Sequence, residues 1–211
     1  MSTALAERET RVERWTADPS RTTVEFEVEH LWGLHTVRGH FRSFSGAYIV
    51  GLGGSAIELT IDAATVDTGC AARDKHLRSP DFFGAEEHPQ VRFTSTRVTG
   101  LGSGRVRVSG ELEAAGSRAS LAFDASVRVV DGDLELEATT TVDQSRFGMS
   151  DGPLRNVKRP TVLRVKTRLV REPSGSDGRH GGSGGVARGS GLAAVGETVE
   201  SSNRTKGEGN G

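Results

Sequence analysis

The chain has 211 residues, 28 of them Gly, and 27 Lys and Arg stand against 28 Asp and Glu. Apolar residues make up 34% and aromatics 5%, which is low for a fully folded chain of this length. The near-zero net charge excludes a globally basic nucleic-acid binder and a strongly acidic solvating chain.

Residues 1–12 form a polar lead, predicted to be flexible. The opening MSTALAERETRVERW has no apolar core of the kind a secretory signal needs. From there the apolar period is two. Val24, Phe26 and Val28 alternate with Glu25, Glu27 and Glu29. Val37, Gly39 and Phe41 alternate with Arg38 and His40. Ile57, Leu59 and Ile61 alternate with Glu58, Thr60 and Asp62. Cys70 is the only cysteine, so no internal disulfide forms. The segment 71–79 (AARDKHLRS) drops the alternation, has helical propensity and is stopped by Pro80; it is predicted to be a short helical excursion across one barrel end.

Period two then resumes. It runs through Val91 and Phe93, through Val106, Val108, Gly110 and Leu112, and through Ala119 to Val129. Leu134, Leu136, Ala138, Thr140 and Val142 follow. The stretch from Phe147 to Pro160 reads as a loop, and Leu163, Val165, Thr167 and Leu169 form the last strand. From Glu172 to Gly211 there are 12 Gly in 40 residues and no aromatic, a composition predicted to leave 172–211 as a disordered tail. No apolar run approaches the ~20 residues of a membrane-spanning helix. With no secretory signal and a single cysteine, the expected location is the cytoplasm.

Residues 13–171 thus hold eight strands, each with one wet and one dry face, joined by short Gly-rich turns. Eight such strands close most economically into an antiparallel up-and-down barrel, an all-β fold. Closure makes the first and last strands neighbours. It sets Glu25, Glu27 and Glu29 near Arg164, Lys166 and Arg168, with Glu135 and Glu137 on the far side. Small inward positions at Gly39, Ala119, Ala125, Ala138 and Thr140 leave room inside.

Several segments resemble the YceI-like family of lipocalin-like, polyisoprenoid-binding proteins. The opening WTADPSRTTVEFEVEHL is similar to the family's start. Gly39-His40-Phe41 through Phe44-Ser45-Gly46 resembles its G-x-F-x-x-F-x-G segment, and VDTGCAARDKHLRSPDFFGAEEHPQVRFTST resembles its most specific block. QSRFGMS is similar to a later one. The resemblance covers about 14–171. It departs at Ala115, where the family usually has His.

The resemblance implies an apolar tunnel that takes a long lipid such as a polyisoprenoid or an isoprenoid quinone. That lipid would be a ligand, with no cofactor. The inward residues expected to line the tunnel are Phe26, Val28, Phe41, Ile57, Leu59, Ile61, Phe93, Val108, Leu121, Phe123 and Val127. A polar mouth is expected from His30, Arg73, Asp74 and His76, with Phe82 and Phe83 at the barrel end. The resulting expectation is a non-catalytic lipid carrier. Two other readings stay open: an enzyme acting on such a lipid at Arg73, Asp74 and His76, and a filled barrel serving as a structural module.

No metal is expected. His30, His35 and His40 recur every five residues, which is not a compact ligand spacing. No nucleophile elbow or phosphate loop is present, and no nucleic-acid partner is expected from the basic run near Arg155–Arg171. The sequence does not determine the oligomeric state.

Overall fold

The computed structural model describes residues 12–30, 35–51, 53–149 and 160–172. Its strands are β1 (Glu13–Ala17), β2 (Thr23–His30), β3 (His35–Phe41), β4 (Phe44–Gly51), β5 (Gly54–Asp62), β6 (Val66–Asp67), β7 (Gln90–Gly102), β8 (Arg105–Ala114), β9 (Ser117–Val130), β10 (Asp133–Asp143) and β11 (Pro160–Arg171). One helix, α1 (Ala71–Arg78), lies between β6 and β7. The lead up to residue 11 and the tail from 173 onward lie outside the described residues, as does most of the loop before β11.

Eleven strands make eight staves because three staves are broken. β1 and β2 are two halves of one stave, as are β3 with β4 and β5 with β6. Two of the breaks share a local cause. Asp18 accepts the Ser20 N–H at 2.9 Å and Pro19 sits in the first turn, which winds the chain into a single 3-10 turn. Asp62 does the same for Ala64 N–H at 2.9 Å. Asp143 repeats it for Ser145 N–H at 3.0 Å after β10.

All pairings are antiparallel. The ring runs β1-β4-β5-β7-β8-β9-β10-β11, and β11 returns to β1. β2 continues the closure, with Arg164 opposite Glu25 and Thr161 opposite Val28. The expected eight-stranded closed barrel is the observed fold. The outer charges follow the register. Arg164 reaches Glu27 at 3.1 Å across the closure, where Arg38 also meets Glu27 at 3.0 Å. Lys166 stands opposite Thr23 on one side and Glu137 on the other, and it pairs with Glu137 at 2.7 Å. Arg168, nearly buried, joins Asp133 at 3.0 Å and donates to the Val130 carbonyl at 2.7 Å. Their hydrogen bonds hold the Glu27 and Glu137 carboxyls below the usual range.

Three hairpins use two-residue turns with positive φ at both positions: Ser103-Gly104, Ala115-Gly116 and Asp131-Gly132. This geometry matches the twist of the flanking strands, though Ala115-Gly116 caps the opposite end of the barrel from the other two. Ser103 is exposed at φ 51, a backbone region that Asn tolerates better than Ser. Ser103→Asn is expected to stabilise the barrel by about 0.5 kcal/mol, measured as a higher chemical-denaturation midpoint. An unchanged or lower midpoint would contradict this reading of the turn.

The end carrying α1 is closed by aromatics. Phe41 stacks edge-on with Phe83 at 5.6 Å and tilted against Phe26 at 5.7 Å. Phe82 is buried beneath His76, with ring centroids 4.9 Å apart. The Ala63 N–H bonds the Pro89 carbonyl at 2.9 Å, which ties the segment after α1 back to the barrel wall.

Candidate functional site

The inward faces enclose a cavity of about 170 Å³. Eight of the eleven expected tunnel residues line it: Phe26, Phe41, Ile57, Leu59, Ile61, Phe93, Leu121 and Phe123. Val28, Val108 and Val127 do not. They point inward by parity but are taken up in packing, and Val108 is completely buried. The room expected at Gly39 is also filled, because a methyl there would sit 2.4 Å from Phe26 Cζ. Ala138 and Thr140 do face the cavity, whereas Ala119 and Ala125 are packed beside it.

Other lining residues come from strands all round the barrel and from the corner after β10. Leu136, Leu163, Val165 and Tyr48 belong to alternating strands. Gln144, Phe147 and Met149 do not, and nothing in a period-two pattern marks them. They arrive because the β9–β10 ladder ends at Ala125–Ala138, and the 3-10 turn after β10 fills the gap that opens beyond it. The two buried side chains Phe147 and Met149 make this corner part of the core.

Most of the few polar groups of the lining are paired. The Thr22 hydroxyl donates to the Asp18 carbonyl at 2.7 Å, so Thr167, 2.8 Å away, is left to donate to Thr22. The Gln144 amide donates to Thr161 Oγ1 at 2.7 Å. Among the described residues no buried side-chain polar atom lacks a partner. Among the described residues of the lining Glu58 alone is charged, half exposed and 4.0 Å from Arg14. The cavity wall is therefore close to electrically neutral and offers almost nothing but hydrocarbon contact.

The expected polar mouth does not assemble at this cavity. Asp74 is buried and accepts the Thr68 N–H at 2.9 Å and the Thr68 hydroxyl at 2.5 Å. Arg73 donates to Thr68 Oγ1 at 2.8 Å and to the Thr68 carbonyl at 3.0 Å. Both side chains fasten α1 to the end of β6. His76 stands over Phe82, on the outer side of the plug. Of this group only Phe83 lines the cavity. The side chain of His30 lies outside the described residues. Its backbone pairs with His35, while His40 pairs with Glu25. Among the described residues no three His, Cys, Asp or Glu side chains stand together as a metal site.

The departure at Ala115 has a structural counterpart. Ala115 opens the β8–β9 turn at φ 47, and the His88 ring packs against the next residue: a methyl on Gly116 would lie 2.7 Å from His88 Cε1. An imidazole from another segment covers this turn.

A family model described as YceI-like domain matches residues 15–169, which is the barrel from β1 to the end of β11. The chain belongs to the YceI-like family. Curated relatives include a UPF0312 protein of Vibrio campbellii, 33% identical over 96 residues, which are 44% of this chain and 50% of the relative. A UPF0312 protein of Photorhabdus laumondii is 39% identical over 92 residues, 42% of this chain and 47% of the relative. The chain thus spans about half the length of these relatives.

Among solved structures, the YceI-like barrel superposes on Burkholderia cenocepacia BcnA with a TM-score of 0.63 at 19% identity, covering 72% of this chain and 98% of BcnA. A polyisoprenoid binding domain from Saccharophagus degradans gives 0.57 at 17% identity, covering 78% and 100%. At these identities the likeness establishes the fold.

Proposed function

We propose that this YceI-like barrel binds a long apolar chain of the isoprenoid class in its interior and carries or sequesters it without chemical change. The observation that carries this reading is the neutral, hydrocarbon-lined cavity inside a closed barrel. The name of the Saccharophagus degradans domain supports the ligand class. The energetics allow it. Each CH₂ transferred from water contributes about 0.8 kcal/mol, so ten carbons contribute roughly 8 kcal/mol before the costs of association and chain ordering. A dry cavity of ~150 Å³ is known to hold a benzene-sized group. The enclosed volume therefore takes a segment of chain, and a longer one displaces flexible lining side chains such as Met149 and Leu163.

The non-catalytic part of the proposal rests on the same wall. Most of its hydroxyls and its amide are hydrogen-bonded within the protein, and Arg73 and Asp74 are committed to holding α1. The test is organic extraction and mass spectrometry of the full chain purified from cells, beside Ala138→Phe. The wild type should carry a long apolar molecule in near-stoichiometric amount. Ala138→Phe, with an unchanged circular dichroism spectrum, should carry at least tenfold less. A wild-type extract empty of such molecules would overturn the reading, as would equal loading of the two proteins.

A further inference from the structure

The barrel wall is not hydrogen-bonded all the way round. Among the described residues, two of its partings border the cavity, and they are closed in different ways. Between β9 and β10 the gap beyond Ala125–Ala138 takes the buried Phe147 and Met149, and Arg146 donates across it to the Ser120 carbonyl at 3.1 Å. Between β5 and β7 the ladder ends at Glu58–Thr94. The Ile57 N–H then finds a side chain instead of a carbonyl, donating to Ser95 Oγ at 2.7 Å. At Thr96 the register of β7 slips against β8, a bulge that re-aims the strand. From there to Gly102 the described pairing of β7 is with β8 alone. One side-chain hydrogen bond thus latches this seam where most of the wall has a ladder.

The seam adjoins the cavity. Ile57 has its N–H at the latch and its side chain in the lining. Tyr48, its register partner on β4, also lines the cavity and donates to Ser55 Oγ at 3.1 Å. Tyr48, Ser55 and Ser95 are all half buried, so the Tyr48–Ser55 hydroxyl pair and the Ser95 hydroxyl flank Ile57 where an otherwise apolar wall opens. The described lining includes no Lys or Arg, and its charged side chain is the acid Glu58, so this wall offers no cation to an anionic head. The opposite end is shut by the Phe26, Phe41 and Phe83 rings and by the helix that Asp74 fastens.

We infer that an amphiphile passes tail-first through the β5–β7 seam and leaves an uncharged head, an alcohol or carbonyl, at the hydroxyls of Tyr48, Ser55 and Ser95. This inference rests on the cavity being a lipid site. Opening then requires only that Ser95 release the Ile57 N–H, and Ser95 still has its own O–H to donate to the head.

The experiment is stopped-flow uptake of N-phenyl-1-naphthylamine by the full chain, followed by displacement with farnesol or farnesyl phosphate. Ser95→Ala should speed uptake and release together by severalfold and speed hydrogen exchange at the Ile57 amide. Ser95→Thr, which keeps the hydroxyl, should restore both. Asp74→Asn, at the other end, should leave the rates unchanged, and farnesol should compete at least tenfold better than its phosphate. Unchanged rates in Ser95→Ala would overturn the inference, as would faster rates in Asp74→Asn or a preference for the phosphate. Those outcomes leave the cavity as a lipid site. A wild type that takes up neither naphthylamine nor farnesol would bring down both readings.

Discussion

Gly110→Ala is expected to lower the melting temperature by about 6–12 °C, the equivalent of roughly 3 kcal/mol in a domain of this size. The reason is backbone. A methyl on Gly110 would sit 2.3 Å from the Thr94 carbonyl oxygen and 2.8 Å from Ser95 Cα, on the neighbouring strand just before the bulge. Neither atom can yield without moving β7, and Phe93 Cζ closes the third side at 2.8 Å. Gly39→Ala makes the instructive contrast. Its methyl would also collide, at 2.4 Å with the tip of the Phe26 ring and at 2.8 Å with Thr68 Cγ2, but both are side-chain atoms. A ring can turn, and the space it turns toward is the cavity. Gly39→Ala is therefore the milder change, and its cost falls on cavity volume more than on the wall. Thermal denaturation of both variants checks the order; equal melting temperatures would refute it.

Asp74→Ala is expected to be the other severe change. The carboxylate is buried and one of its oxygens accepts both the N–H and the hydroxyl of Thr68. Removing it strands two donors, and hydrogen bonds to a charged acceptor are each worth about 1.5–3 kcal/mol. The loss should total about 3 kcal/mol, because part of the gap admits water. Asp74→Asn keeps an acceptor oxygen in place and should lose about half as much. Denaturant unfolding gives both numbers. The comparison also separates two roles. A residue that fastens a helix changes stability in proportion to its hydrogen bonds, whereas a residue that greets a ligand changes binding and leaves the unfolding midpoint alone. The second pattern would return Asp74 to the polar mouth.

Much of this architecture was readable in advance, and the reason is the period of two. A barrel wall shows one dry face per stave, so Val24, Phe26 and Val28 carry the same message as Leu163, Val165 and Thr167. The alternation survived on either side of the stave breaks, although the Asp-capped turn at 62–65 shifts its phase: Ile61 faces inward before it and Val66 is buried after it. Alternation could not show the register. Whether β9 follows β10 to its end depends on twist and stagger, and so the corner bearing Phe147 and Met149 was invisible as lining.

The same limit explains Val28, Val108 and Val127, whose inward parity says nothing about how far the hollow extends. At the helix the error had another source. Arg73, Asp74 and His76 are chemically rich and close in sequence, but one helical turn spreads them. Two of them turn back to Thr68, and the third stands on a plug.

The meander also has a kinetic side. Each ladder from β4 round to β11 joins staves that follow one another along the chain. The last, where β11 meets β1 and β2, joins opposite ends: Arg164 and Glu27 are 137 residues apart. Local hairpins form early and distant pairings late, because loop closure must be met before a contact rewards it. Until that final pairing is made, the sheet is open and shows two bare edges, one of them the twelve-residue strand β11. A chain halted before β11, or slowed in closing, would stay adhesive to other copies of itself. The glutamates and arginines along those two strands then act before the fold is complete, keeping unfinished sheets soluble and drawing the right pair of edges together.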